Sequence, residues 1–225
     1  MVENPSDDLL PEESLLSGHN LSKARDAAIS FYRKPDVKAV PALVHGLSLS
    51  EDVAIFCMLA LLETGKAAVP QLMKSAVSQN EQIRGYSLEI LGEMEHEEAL
   101  DLILSAVEKD TSAWVRSTAA EALLRYQSPR AIAALEKMTV SPDNWLSVSA
   151  CVTLNRMGKG KDLLEMLLRR FLEQPDQLRA MTSWGIVEIA KKQEVEMIQA
   201  IVEKVNDPLV KRHIVEIVRG INNRF

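Results

Sequence analysis

The chain has 225 residues and a formal net charge of −6 at pH 7, with 47% apolar but only 4% aromatic residues. This apolar share is ample for a packed interior, which must consist mainly of aliphatic side chains because aromatic residues are scarce. The acidic balance argues against nucleic-acid binding, which needs a basic face to neutralise phosphates. The composition therefore predicts a protein with a packed aliphatic interior that does not bind nucleic acid, although a local basic patch is not excluded.

Residues 1–20 differ in composition from the rest of the chain. The acidic residues Asp7, Asp8, Glu12 and Glu13 and two prolines in this segment favour a flexible acidic arm, whereas four leucines suit a cap over the first repeat. Both interpretations stay open. The acidic start lacks the basic region of a secretory signal peptide, so we expect a cytoplasmic protein. The longest apolar run, Val53–Leu62, is too short to cross a bilayer, so no membrane association is predicted.

From residue 21 onward a helical pattern returns about every 32 residues. The first and ninth positions of each segment are aliphatic. The seven segments begin at Leu21, Val53, Ile83, Val115, Leu146, Leu178 and Val210. A period of this size is typical of solenoids, in which no repeat buries its apolar face alone. Residues 21–225 are therefore predicted to form a single repeat domain.

A second helical series alternates with the first. Its segments carry apolar residues at i, i+3, i+4 and i+7, and turn signals separate the pairs. They begin at Ala39, Ala68, Ala99, Ala131, Asp162 and Glu196. Each repeat is thus an antiparallel helix pair, and no strand-like alternation is present. The predicted fold is an all-α solenoid of about six such repeats.

The 100° step of a helix indicates which residues of the first series point away from the core. If positions 1, 5 and 9 face the core, position 7 faces outward, and position 4 borders the same face. We predict that these two positions bind a partner, and the residues concerned are Leu59, Tyr86, Glu89, Glu121, Val152, Met181, Trp184 and Glu216. An apolar and acidic row suits a helix or extended segment that bears basic and apolar residues.

Two further tryptophans, Trp114 and Trp145, each stand one position before a segment of the first series. A residue at this place commonly forms a hydrophobic staple by packing back onto its own helix, and we interpret both in this way. Trp184 differs, because its predicted direction is outward, and we expect it to be the main aromatic anchor.

The repeats resemble those of HEAT-repeat proteins, specifically the short repeats of phycobilisome lyase-like HEAT proteins. The resemblance rests on WVRSTAAEALL from Trp114 and SPRAIAALEKM from Ser128, and on an aliphatic-Arg opening such as Ile83-Arg84 and Val115-Arg116. It implies a right-handed superhelix. The helices of the first series, each of which is the second helix of its pair, line the concave side. It also implies that an acidic residue just before the second helix of a pair forms an ion pair with the basic residue of this opening. The candidate acidic residues are Asp110, Asp176 and Asp207.

Catalytic signatures are absent from the sequence: there is no HExxH, GxGxxG or GxSxG motif, and no histidine pair at metal-ligand spacing. We therefore expect a protein that is not an enzyme and that uses no cofactor or metal. The predicted function is a protein-binding adaptor, scaffold or assembly factor that captures a partner segment in the concave groove.

Two other functions stay open. The repeat subtype suggests a phycobilin lyase or a chaperone that handles a tetrapyrrole-bearing protein, with Tyr86, Met181 and Trp184 as contacts. A more remote alternative is a HEAT-like DNA glycosylase that uses Trp184 and nearby Glu188. The acidic row of Glu89, Glu121 and Glu216 opposes the second alternative, because it would repel phosphates.

Overall fold

The computed structural model describes residues 11–225, and every regular element in that range is a helix. The chain forms two compact units, Met1–Tyr126 and Gln127–Phe225. The helices of the first unit are α1 (Pro11–Ser17), α2 (Leu21–Arg33), α3 (Val40–Gly46), α4 (Glu51–Thr64), α5 (Val69–Ser75), α6 (Glu81–Glu93), α7 (Leu100–Lys109) and α8 (Ala113–Ala122). The prediction of an all-α fold is confirmed over the described range.

The second unit continues the same alternation. Its helices are α9 (Pro129–Met138), α10 (Asn144–Arg156), α11 (Leu163–Glu173), α12 (Asp176–Ile189), α13 (Val195–Lys204) and α14 (Pro208–Arg224). Short 3-10 turns precede α3, α5, α7 and α13 and follow α8. The six predicted pairs are therefore α3–α4, α5–α6 and α7–α8 in the first unit, and α9–α10, α11–α12 and α13–α14 in the second.

Most helices of the first series begin with a side chain that caps the first backbone N–H groups. The Asn20 side chain accepts a hydrogen bond from the Lys23 backbone N–H, and Asn80 accepts from Gln82 and Ile83. Four other helices are capped in the same way: α4 by Ser50, α8 by Ser112, α10 by Asp143 and α14 by Asp207. Each cap satisfies a backbone N–H that has no partner inside the helix.

Within each unit the core lies between the paired helices and their neighbours. In the first unit α4 packs against α2 and α3, and α8 packs against α6 and α7. In the second unit α12 packs against α10, α11 and α14. Alanine, leucine, isoleucine and valine supply most of the buried positions. Because no pair buries its apolar surface without the next, the core is continuous along each unit.

Helix α1 covers the start of the first unit. It packs against α2 and α3, and Leu15 is fully buried. The remaining part of the predicted N-terminal arm or cap, residues 1–10, lies outside the described residues.

Residues 51–75 are apolar enough to pass a compositional test for a membrane span. They do not form one straight helix. Gly65 ends α4 with φ at +64°, a left-handed conformation that favours glycine, and Pro70 opens α5. At 1.5 Å per residue, the 14 residues of α4 span about 21 Å, less than the roughly 30 Å of a bilayer core. Neither helix is therefore long enough by itself to cross a bilayer core.

Both cysteines are free and buried. Cys57 lies on α4 and Cys151 on α10. Burial raises the pKa of each thiol to about 12, because an apolar environment disfavours the thiolate.

The predicted outward orientation is wrong for one residue. Val152 was predicted to face a partner, but its side chain is only 1% exposed. Helix α10 packs against α9, α11 and α12, and all nine residues from Leu146 to Leu154 are buried. A residue at position 7 of a first-series helix is exposed only where the neighbouring helices leave that face of the helix uncovered. Val152 is therefore a core residue.

Candidate functional site

The candidate site in the first unit begins with a glycine on α6. A Cβ atom built on Gly85 would lie 2.4 Å from the Trp114 ring, a distance that side chains do not tolerate. The missing side chain thus allows the indole to lie against α6. Trp114 is inside α8 and half-buried, so its interpretation as a staple on its own helix is wrong. Trp145 does not fit a staple either, because 54% of its surface is exposed.

Tyr86 follows Gly85 and meets the same indole. The Tyr86 and Trp114 rings are T-shaped, with centroids 5.3 Å apart and an interplanar angle of 74°. Edge-to-face packing of this kind stabilises both rings beyond simple burial. Burial, then the negative charges of Glu89 and Glu51, raise the pKa of the Tyr86 hydroxyl. At neutral pH this hydroxyl is therefore a neutral hydrogen-bond donor and acceptor.

Glu89 lies three residues after Tyr86, on the same face of α6. Its side chain is half-buried. Burial raises the pKa of this carboxyl to about 7, and the charges of Glu121 on α8 and Glu93 on α6 add to the effect. Glu93 forms an ion pair with Arg125, with 2.5 Å between the Glu93 Oε2 and Arg125 Nη2 atoms. Glu89 is therefore the acid of this group that changes charge near neutral pH.

These residues form one chemical site, called here the Tyr86–Glu89 site and made of Tyr86, Glu89, Trp114 and Glu121. It combines two aromatic rings with a carboxyl group that is close to half-protonated at pH 7. Such a carboxyl group can both donate and accept a proton, which is the requirement for a general acid–base catalyst. The rings provide an apolar surface for a planar conjugated ligand.

Leu59 belongs to the neighbouring helix of the same unit. It is 36% exposed, and Ile55, one turn earlier on α4, is 47% exposed. Helix α4 packs against α6, which carries Tyr86 and Glu89. The predicted outward orientation of Leu59 is therefore observed, and two aliphatic side chains are accessible on α4.

In the second unit the predicted residues lie on α12 and α14. Trp184 is 37% exposed, and Met181, one turn earlier, is half-buried. Glu216 on α14 is exposed and accepts two hydrogen bonds from Arg219 at 3.1 Å. Helix α14 packs against α12. The partner-binding role of Trp184, Met181 and Glu216 stays a prediction.

The part that Trp114 plays was not predicted from the sequence, and Glu89 was predicted only as a member of the partner-binding row. A signal for Trp114 was present. Gly85 occupies the helical position that holds Ile55 in the preceding repeat, and a glycine inside a helix often marks a close approach by another group. The raised pKa of Glu89 had no such signal, because it depends on burial between neighbouring helices.

Comparison with known proteins identifies the repeat. A family model described as HEAT repeats matches residues 69–155, a range that contains the whole Tyr86–Glu89 site. The chain is 30% identical over 109 residues to a phycocyanobilin lyase subunit beta from Thermosynechococcus vestitus, covering 47% of this chain and 51% of that protein. It is 33% identical over 89 residues to the protein of the same name from Nostoc sp., covering 39% of this chain and 44% of that protein.

A solved structure shares the fold. In the complex of CpcE and CpcF of phycocyanin lyase from Nostoc sp., one chain aligns with a TM-score of 0.53 at 23% identity, covering 67% of this chain and 99% of that one. This likeness concerns the fold alone. The chain spans about half the length of the curated relatives that it matches.

These matches correct one expectation. The missing catalytic motifs suggested a protein that is not an enzyme, whereas the proteins to which the chain is similar are subunits of a lyase. The motifs sought in the sequence belong to metal, nucleotide and serine-nucleophile chemistry. A lyase that works through carboxyl and aromatic side chains carries none of them.

Proposed function

We propose that this chain, which matches HEAT repeats over residues 69–155 and is similar to phycocyanobilin lyase subunits, is a subunit of a phycobilin lyase. In this role it binds an open-chain tetrapyrrole and acts together with a protein partner. The structural observation that carries the proposal is Glu89, a half-buried carboxyl group one turn from the Tyr86–Trp114 pair.

The chemistry of a bilin suits the Tyr86–Glu89 site. A bilin is a flat conjugated molecule with pyrrole N–H groups, so it needs aromatic or aliphatic surface and a hydrogen-bond acceptor. Tyr86 and Trp114 offer the aromatic surface, and Leu59 on α4 adds accessible aliphatic surface in the same unit. The Glu89 carboxylate accepts hydrogen bonds from pyrrole N–H groups, and such charge-assisted bonds are stronger than neutral ones.

Glu89 also meets the catalytic requirement of a lyase. A lyase adds a group across a double bond or removes it, and a proton is gained or lost in the same reaction. A carboxyl group with a pKa near 7 exchanges this proton readily at neutral pH. We assign Glu89 as the group that carries the proton and Tyr86 as the group that orients the bilin.

A protein partner is the second part of the proposal. The structure that shares this fold is a complex of two different subunits, and the named relatives are themselves subunits. We assign the partner or acceptor protein to the exposed surface of the second unit around Trp184, Met181 and Glu216. An aromatic side chain at the centre of an interface is a common hot spot, and Glu216 selects basic residues.

Visible absorption spectroscopy tests bilin binding directly. Phycocyanobilin titrated into the wild-type protein should change its visible spectrum, and the size of the change should depend on pH around 7 as Glu89 ionises. The Glu89→Gln variant should still bind the bilin, but its spectrum should not change with pH in that range. A wild-type mixture whose spectrum equals that of free phycocyanobilin contradicts the proposal.

A matched control separates the site from general charge effects. Glu203 is exposed on α13 in the second unit, so Glu203→Gln removes the same charge from another helix. This variant should retain the wild-type pH dependence. Loss of the pH dependence in both variants would remove Glu89 from the proposed role.

A further inference from the structure

The second unit contains a cleft that the Tyr86–Glu89 site does not use. Its volume is about 630 Å³, within the range of small-molecule sites. Helices α10 and α11 and the segment that follows α9 line it, and all its lining residues lie between Thr139 and Gln174. The cleft therefore belongs to one compact unit.

The floor of the cleft is buried and mainly apolar. Cys151 and Leu167 are each 1% exposed, and Ser147 is fully buried. The Ser147 hydroxyl donates a hydrogen bond to the Thr139 carbonyl, so its donor is already used. Val140 at the edge of the cleft is 71% exposed, which leaves an accessible aliphatic side chain beside the floor. This surface suits an apolar ligand body.

The distinctive polar group of the cleft is Arg170. Its guanidinium donates to the Ser141 carbonyl at 2.7 Å and to the Asn144 side-chain oxygen at 3.5 Å. Both acceptors are neutral, and among residues 11–225 no carboxylate forms an ion pair with Arg170. The guanidinium is therefore held in place while its positive charge is left without a carboxylate. Several of its N–H groups remain to bind an oxyanion in a fork geometry.

Other charges at the rim limit the kind of ligand. Arg169 is exposed and pairs with Glu165 at 3.7 Å, so it offers little to a ligand. Asp162 and Glu173 are exposed carboxylates that oppose a ligand with many negative charges, and the exposed Lys161 ammonium group offsets only one of them. The arrangement favours a molecule with one carboxylate near Arg170 and an apolar remainder.

We propose that this cleft binds an amphipathic carboxylate. The carboxylate pairs with Arg170, and the apolar part lies on Leu167, Met166 and Val140. Two sources share this chemistry, a fatty acid and the propionate arm of a tetrapyrrole. The proposal does not depend on lyase activity, since it concerns other residues in a different unit.

Two-dimensional NMR of the full ¹⁵N-labelled chain tests the proposal with three probes: decanoate, decan-1-ol and biliverdin. Decanoate should shift the Arg170 Nε–H signal and the backbone signals of residues 139–151 and 163–174. Decan-1-ol should bind at least about tenfold more weakly, because a charged hydrogen bond to a carboxylate is lost. Binding of decanoate alone identifies a fatty-acid site, and binding of biliverdin alone in these residues identifies a tetrapyrrole site.

Variants locate the charge and the cavity. Arg170→Gln should weaken carboxylate binding at least about tenfold and leave decan-1-ol binding unchanged. Because Arg170 also holds the Ser141 carbonyl, a second variant, Met166→Trp, fills the cleft without removing that hydrogen bond and should abolish binding of all three probes. Arg219→Gln on α14 removes one positive charge elsewhere and should change no affinity by more than about twofold.

Three results overturn the proposal. Equal affinity for decanoate and decan-1-ol, with no biliverdin binding in these residues, shows that no carboxylate is recognised. Unchanged decanoate affinity in a folded Arg170→Gln or Met166→Trp protein shows that the ligand binds elsewhere. If decanoate and biliverdin both change only the NMR signals of residues outside 139–174, the ligands also bind elsewhere.

Discussion

Arg84 and Asp110 form a bidentate ion pair in which the Arg84 Nε and Nη2 atoms donate to the two Asp110 oxygens, each at 2.8 Å. The pair joins α6 to the turn between α7 and α8, and both side chains are largely buried. Arg84 also donates to the Ser78 carbonyl, and Asp110 accepts from the Ser112 N–H. Two successive repeats are thus fixed at one point by charge-assisted hydrogen bonds.

Asp110→Asn should lower the free energy of unfolding by about 3 kcal/mol at pH 7, because it leaves a buried guanidinium without its counter-charge. Urea denaturation measures the difference. Glu216→Gln, which breaks the exposed pair with Arg219, is the control and should cost less than about 0.5 kcal/mol. Equal losses in the two variants would show that the buried pair contributes no more than a surface one.

The same pair makes stability depend on acid pH. Burial alone would raise the pKa of Asp110, but the hydrogen bonds from Arg84 and Ser112 outweigh it and hold that pKa below its usual value. The contribution is therefore present above the unfolded pKa of about 3.9 and is lost as pH falls through the lower folded value. Urea curves at pH 3 and pH 7 should show a smaller gap between wild type and Asp110→Asn at pH 3.

Gly85→Ala should destabilise the first unit by about 1–3 kcal/mol, because the new methyl group collides with the Trp114 ring. Gly220→Ala is the control, since its Cβ would meet only the ends of the Val187 side chain at 3.0 Å or more. Trp114→Leu should relieve the collision in the double variant. Thermal unfolding with tryptophan fluorescence and circular dichroism measures these effects. A fully stable Gly85→Ala protein would contradict the contact.

Glu89→Gln should stabilise the protein at pH 8 but not at pH 5. The folded pKa is about 7 and the unfolded pKa about 4.3, so the folded state binds more protons between these values. Wild-type stability therefore falls as pH rises from about 4 to 7, by an amount on the order of 3 kcal/mol at most. Urea denaturation of both proteins at pH 5 and pH 8 checks this sign. A constant difference at both pH values would mean that Glu89 ionises normally.

Trp184→Ala should weaken binding of the protein partner by at least about 1–2 kcal/mol without loss of helical content. Calorimetry with the partner subunit or acceptor protein measures the affinity, and circular dichroism measures the helices. Trp145→Ala is a matched control, because Trp145 is also exposed but was not assigned to the partner surface. Equal affinity in the Trp184 variant would remove this residue from the interface.

The sequence predicted the helices better than it predicted their surfaces. Periodicity is a local property, so it placed the helix pairs, although it did not identify the side chains that cap them, such as Asn80 and Ser112. Exposure is not local. Val152 and Trp184 share one position of the repeat, yet Val152 is buried and Trp184 is 37% exposed, because neighbouring helices cover α10 on nearly every side.

Contacts between repeats were partly foreseen. The HEAT resemblance implied that Asp110 and Asp176 pair with basic residues. Asp110 pairs with Arg84 of the preceding repeat, and Asp176 pairs with Arg179 and His213. Asp207 instead caps α14. Two ion pairs were not predicted, Glu93–Arg125 and Arg156–Glu188, because the partners of each pair are 32 residues apart and belong to different repeats.

The buried cysteines are chemically inert, and this property matters for the proposed binding of a conjugated tetrapyrrole. With a thiol pKa of about 12, only about one Cys57 or Cys151 side chain in 100,000 is a thiolate at pH 7. Thiolates are the form that adds to conjugated double bonds and that oxidises. If the proposed function is correct, an electrophilic pigment bound to this protein would not label Cys57 or Cys151, and these thiols would not compete with those of an acceptor protein.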